Sequence, residues 1–192
     1  SNEITAIPEL IEILELRDSI ITIDAMGCQK NIVQKIKKKK GDYVLSLKGN
    51  QRLLYEDVEL YFKDAEENDF RDADFSHHKT VDKDHGRIEI REYWTTDDVD
   101  WLEDKSKWDG LTSIGMVHST RIIGDKTSKE TRFYISSLSS NAKIFADAVR
   151  GHWAVENNLH WVLDVVFRDD TCRIRKDHSP RNFATMRHVA LN

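Results

Sequence analysis

Two cysteines, two prolines and eight glycines are all that 192 residues contain of the types that staple, break or loosen a chain. Cys28 and Cys172 stand far apart and match no Cys-x-x-Cys metal or redox spacing, which argues against a disulfide scaffold and leaves both as reduced thiols. Pro8 falls in the first turn of a helix-like segment and Pro180 at a first helical position behind Ser179, where the ring is tolerated. No apolar run approaches the ~20 residues that cross a bilayer, and no charged-then-apolar leader is present, so a cytoplasmic, membrane-free protein is the default expectation. Catalytic signatures are missing too. There is no Gly-x-Ser-x-Gly elbow and no His-Glu-x-x-His zinc helix. Gly124-Asp125-Lys126-Thr127 ends like a phosphate loop but lacks the upstream glycine and the strand-to-helix setting.

Charge is plentiful but uneven. Between Glu56 and Asp104 there are 18 Asp and Glu against 6 Lys and Arg, a local balance of -12, which leaves +7 for the rest of a chain whose net charge is -5. A polyanion is therefore expected to meet the flanks, where lysines and arginines can neutralise phosphates, while the acidic middle faces elsewhere or is simply a solvated surface.

Periodicity supplies the elements. Ile4, Ile7, Leu10, Ile11 and Leu14 recur at helical spacing behind Thr5, a candidate N-cap. Residues 19–23 read Ser-Ile-Ile-Thr-Ile, a β-branched run ending at Asp24. Residues 29–40 put Ile32, Val33 and Ile36 on one helical face, end in four lysines that suit the negative C-terminal end of a helix dipole, and are expected to stop at Gly41. A second apolar strand over 43–47 completes a strand-helix-strand unit whose strands should run parallel, so the fold class is α/β. Residues 51–67 form a further helix with Leu53, Leu54, Val58, Tyr61 and Phe62 as its expected buried stripe. Short β-type runs over 76–138 predict a small antiparallel lobe, and helix returns from Asn141, capped by Ser140 or Asn141, through Phe145, Ala148, Val149 and Trp153.

Two settings could carry chemistry. Asp24 at the carboxyl end of a parallel strand is where α/β sheets place ligands, although such an aspartate also serves as a helix cap. His152, Glu156, His160 and Asp164 share one face of the C-terminal helix, with Trp153 and Trp161 on neighbouring stripes. That face is either a salt-bridge ladder or the wall of a site.

Ile23-Asp24-Ala25-Met26-Gly27-Cys28-Gln29, Lys48-Gly49-Asn50-Gln51, His85-Gly86-Arg87-Ile88-Glu89, Tyr134-Ile135-Ser136-Ser137-Leu138 and His152-Trp153-Ala154-Val155-Glu156-Asn157 follow one another in an order and spacing that resemble the bacterial H-repeat-associated insertion-sequence transposases across nearly the whole chain. The resemblance implies a ribonuclease-H-like fold with a DDE triad, in which Asp24 is the second acidic residue and Glu156 the third, both ligands of Mg2+ or Mn2+. It implies that the first aspartate and the first strands of the sheet lie upstream of Ser1, so that this segment is a partial core, binds Mg2+ poorly and cuts no DNA alone. Residues 1–70 would be the first part of that core, 71–139 a β-rich insertion, and 140–192 the C-terminal helices that carry Glu156. DNA is the implied partner, with Lys48, Asn50, Arg150, His152 and Asn157 as candidate contacts, and a homo-oligomer is expected by analogy. Where the wider group carries Tyr, Arg and Lys around the glutamate, this chain has Val149, His152 and Leu163, so the contacts of that Arg and Lys pass to His152, Arg150 or Lys176 or go unfilled; Trp153 matches.

Hard carboxylate oxygens suit Mg2+, and two ions ~4 Å apart can activate a hydroxyl and stabilise the leaving oxygen of a phosphodiester. The alternatives are an inactive remnant kept as a DNA-binding or dimerising module, and a small-molecule metallohydrolase, which would lack salt-dependent DNA affinity.

Overall fold

The computed structural model describes residues 3–84, 86–155, 165, 173–179 and 182–186. The chain divides into two compact units, Ser1–Val149 and Arg150–Asn192.

The first unit opens with helix α1 (Glu3–Ile13), strand β1 (Ile20–Ile23), helix α2 (Lys30–Lys38) and strand β2 (Asp42–Leu47). β1 and β2 pair in parallel, Ile20 opposite Asp42 and Ile23 opposite Leu45, as the strand-helix-strand pattern requires. α1 starts two residues before Thr5, so Thr5 lies inside the helix and is not its cap. The end of α2 also differs in detail from expectation. The left-handed residue is Lys40 at φ 62, whereas Gly41 is needed for space: a Cβ there would sit 3.0 Å from the Leu16 carbonyl oxygen. Lys35 and two of the four lysines of the run are engaged locally. Lys35 pairs with Glu12, Lys37 with Asp42 at 2.7 Å, and Lys39 donates to the carbonyls of Glu12 and Leu14 at 2.6 and 2.7 Å, satisfying the end of α1.

Helix α3 (Arg52–Glu67) follows a 3-10 turn at Gly49–Gln51. Its buried stripe is Leu54, Val58, Phe62 and Ala65, spaced four, four and three apart, with Tyr61 half-buried beside it. Leu53, assigned to that stripe from sequence, is 74% exposed, because one residue's step turns it about 100° off the core-facing line. Four long strands come next: β3 (Ser76–Asp84), β4 (Arg87–Thr96), β5 (Ser113–Ile123) and β6 (Lys126–Ser136), all antiparallel to their neighbours. The antiparallel run is as expected; its attachment could not be read in advance. β6 pairs antiparallel with β2, Val44 opposite Ser136 and Leu47 opposite Phe133, so all strands form one mixed sheet in the order β1-β2-β6-β5-β4-β3. Gly124-Asp125-Lys126-Thr127 is the β5–β6 hairpin, with Gly124 at φ 56.

One face of the sheet, through Tyr43, Leu45, Leu47, Ile114, Met116, Phe133 and Ile135, packs on Ile32, Val33 and Ile36 of α2 and on the α3 stripe. Each such side chain contributes roughly 2 kcal/mol by leaving water. The loop between β4 and β5 closes one side with Val99, Leu102, Trp108 and Leu111, and the Asp109 carbonyl accepts from the Tyr43 hydroxyl at 3.1 Å. Helix α4 (Ala142–Val155) lays Phe145 on the opposite face, edge-on to Tyr134 at 5.3 Å. Gly115 makes that contact possible, since a Cβ there would lie 2.6 Å from the ring. Asn141, not Ser140, caps α4, its Oδ1 accepting from the N–H groups of Lys143 and Ile144 at 3.1 Å each; Ser140 bonds Thr95 instead. In the second unit, residues 182–186 are helical behind the predicted Ser179 start. No helix among the described residues is long and apolar enough to cross a membrane.

Candidate functional site

β1 ends at Ile23, and the next residue, Asp24, is exposed at the carboxyl end of the parallel pair. Its backbone is still extended (φ -66, ψ 179), and a 3-10 turn, Ala25–Gly27, begins at once. Asp24 Oδ1 accepts from the N–H groups of Met26 at 3.0 Å and Gly27 at 3.4 Å. Of the two sequence alternatives, the cap is what these contacts show: the carboxylate caps the turn with Oδ1, while Oδ2 has no hydrogen-bond partner among the described residues. Capping fixes the direction of the side chain.

The turn itself is wedged. Ala25, Gly27 and Cys28 are buried, and a Cβ on Gly27 would fall 2.2 Å from Ile23 Cγ2 and 3.3 Å from Ile7 Cδ1. Burial pushes the free Cys28 thiol up to about 12, so it is a packing residue and not a nucleophile at neutral pH.

β2 runs parallel beside β1, so the residues after it arrive at the same edge. Lys48 is exposed there, and in the 3-10 turn that follows, Asn50 Nδ2 donates to the Ala25 carbonyl at 2.6 Å while Gln51 Nε2 donates to the Cys28 carbonyl at 2.9 Å. The second motif thus clamps the turn of the first. Asn50 and Asp24 are brought together; Gln51, quoted in the sequence motif but not selected as a site residue, belongs with them. Its signal was its place: Asn50 and Gln51 stand three and four residues beyond β2, at the edge where the turn after β1 also lies.

The remaining candidates fall in the second unit. Arg150 is exposed and His152 half-buried on α4, the His152 ring edge-on to Trp153 at 6.3 Å. Val149, at the position where the wider group has tyrosine, is buried at the end of the first unit. Glu156, Asn157, His160, Asp164 and Cys172 lie outside the described residues. Among those described, no group of three His, Cys, Asp or Glu side chains could hold a metal ion; Asp24 supplies hard oxygen of the right kind, but one ligand only.

A mixed sheet flanked by helices, with a fixed carboxylate at a parallel strand tip, is a scaffold for chemistry at that edge. Its family is shown by comparison: the chain belongs to the transposase DDE domain family, whose model matches residues 1–192. It is 44% identical over its whole length to the protein named "H repeat-associated putative transposase YhhI" of Escherichia coli K12, covering 51% of that protein. It is also 44% identical to "Putative protein YbfL" of the same strain, again covering 51% of it, and 41% identical to "Putative transposase YncI" of Escherichia coli O157:H7, covering 50%. The chain thus spans about half the length of these relatives. No solved structure matches it significantly.

Proposed function

We propose that the full-length protein cleaves and joins DNA strands at the ends of an insertion element, with Asp24 and Glu156 as two of its metal-binding carboxylates. The observation that carries this reading is the state of Asp24: exposed at the carboxyl end of β1, one oxygen locked by the turn, the other open. Family membership supports the reaction class, and the residues support the ion class, because carboxylate oxygens favour Mg2+ or Mn2+ over softer metals. When bound, such ions would supply activation of a water or 3′ hydroxyl and stabilisation of the leaving oxygen.

The chain's own residues have narrower duties. The Ala25–Gly27 turn holds Asp24 against rotation, and Asn50 with Gln51 holds the turn. Lys48 contacts a DNA phosphate from the same edge; Asn50 keeps the second N–H of its Nδ2 for DNA while the first is engaged with Ala25. Arg150, His152 and Asn157 add DNA contacts from the C-terminal helix region. On this reading residues 1–70 and 140–192 belong to a ribonuclease-H-like core, 71–139 is its insertion, and the working enzyme is a homo-oligomer.

Metal-dependent strand cleavage by the full-length protein on its element's end sequence is the test. Asp24→Asn and Glu156→Gln should each lower cleavage on the order of a hundredfold or more while leaving duplex affinity within a few-fold. Undiminished cleavage in either variant would remove that residue from the site.

A further inference from the structure

Gly86 stands at φ 75 in the β3–β4 hairpin, which explains the glycine of His85-Gly86-Arg87 but not the residues that follow. β4 places Arg87, Glu89 and Arg91 on one face of the sheet. Arg121 of β5 stands directly opposite Glu89, and Asp82 of β3 opposite it on the other side. The Glu89 side chain is only 8% exposed, and it holds three guanidinium groups. Its Oε1 accepts from Arg121 Nε at 3.0 Å and pairs with Arg87 Nε at 3.3 Å, while Oε2 accepts from Arg91 Nη2. Arg91 also donates through Nη1 to Asp82 at 3.0 Å.

Among the described residues, three cations share Glu89 and Asp82, and Asp84 stands opposite Arg87 on the same face. The outer groups of the accessible members stay open. The Arg87 and Arg121 side chains are 48% and 55% exposed, against 25% for Arg91. Both reach Glu89 through Nε, so their terminal Nη groups have no acceptor among the described residues. That fork is the geometry that takes two oxygens of a phosphate.

The surroundings select the ligand. On that face Ser119 stands opposite Arg91 and Ser128 opposite Arg121, and residues 79–91 and 119–130, the far halves of the four long strands, contain no Phe, Tyr or Trp. Charge and hydroxyl groups suit the backbone of a duplex, whereas single strands are gripped by stacking on aromatic rings. We propose that Arg87 and Arg121, held in place by buried Glu89, form a contact site for the phosphodiester backbone of double-stranded DNA. That DNA is the ligand rests on the proposed function; the site at Asp24 is not involved.

Binding of an arbitrary-sequence duplex by the full-length protein, measured without divalent metal across a salt series, separates the two. Arg87→Gln combined with Arg121→Gln should lower affinity at low salt about tenfold or more and reduce the salt slope by about two, near 0.9 for each phosphate no longer neutralised. Lys63→Gln with Lys107→Gln, the same charge change at two exposed lysines set among acidic residues outside the cluster, should do much less. In the unaltered protein, saturating duplex should shield Arg87 and Arg121 from an arginine-selective dicarbonyl reagent, which decides the matter if the double variant fails to fold. No duplex binding, binding confined to single strands, equal losses in the lysine and arginine variants, or unchanged labelling would overturn the proposal. Loss of cleavage in Asp24→Asn bears on the catalytic reading alone.

Discussion

At the β1 end of the sheet a carboxylate is exposed and the turn that carries it is buried; at the β3–β4 hairpin a carboxylate is buried and the cations around it are exposed. Both places use the same few group types. They differ in which partner meets solvent, and that decides what each can offer a ligand. Asp24 presents negative charge to cations, held by backbone N–H groups that cost little to orient. Glu89 presents nothing itself and instead fixes where three positive forks stand. A carboxylate's role is legible from its burial and its partners, and not from its identity.

The sharpest way to break this contrast is to remove the buried member. Glu89→Ala should destabilise the folded chain by about 3 kcal/mol, seen as a shift of the denaturant midpoint, because three mutually repelling guanidinium groups lose their common partner. Loss of only a few tenths would mean the cluster is solvated and loosely held. Gly27→Ala at the other end should cost about 2 kcal/mol, since the new methyl group must displace Ile23 and Ile7, and it should depress metal-dependent cleavage beyond what stability explains. Smaller again, Asn50→Ala should cost about 1 kcal/mol by leaving the Ala25 carbonyl without its donor, with the cleavage rate falling more than duplex affinity. An equal fall in both would mean that its DNA contact outweighs its hold on the turn.

The smallest effect is a pH dependence. Burial raises the Asp42 carboxyl, but hydrogen bonds from Lys37 at 2.7 Å and Ser137 at 2.8 Å outweigh it and hold the group below the usual aspartate range. A carboxyl depressed in the folded state contributes stability above its unfolded pKa, and that contribution fades as pH falls through the folded value. Asp42→Asn should therefore destabilise by under about 1 kcal/mol at pH 7, given solvent screening, with the gap from the unaltered protein closing under acid conditions. A gap that stays constant with pH would show that packing, not charge, is what the substitution removes.

Much of the fold could be read in advance. The β-branched run before Asp24 and the helical spacing of Ile32, Val33 and Ile36 marked a parallel unit, because each element alone must bury one face. The long antiparallel strands were harder. Ser76–Asp84 reads Ser-His-His-Lys-Thr-Val-Asp-Lys-Asp, and the first half of β6 is wholly polar. These segments are strands because neighbours pair with them, and their far halves cover no core that would demand alternation. Of the candidate site, the shared sheet edge of Asp24, Lys48 and Asn50 was legible, since parallel strands end on one side. The Glu89 cluster was hidden by averaging, because Arg121 lies 32 positions away and joins it only through strand register.

By itself the sequence determined the class of each element, the position of Asp24 at a strand tip, and, through its motifs, the transposase family. Periodicity and local chemistry carry those facts, and they act over a few residues at a time. Only the tertiary structure decided that β6 joins β2 in a single sheet, that Asn50 and Gln51 grip the Asp24 turn, and that three arginines converge on one buried glutamate. Each of these is a pairing between distant segments, settled by hydrogen-bond register and by which side chains are left without water, quantities that no local pattern contains.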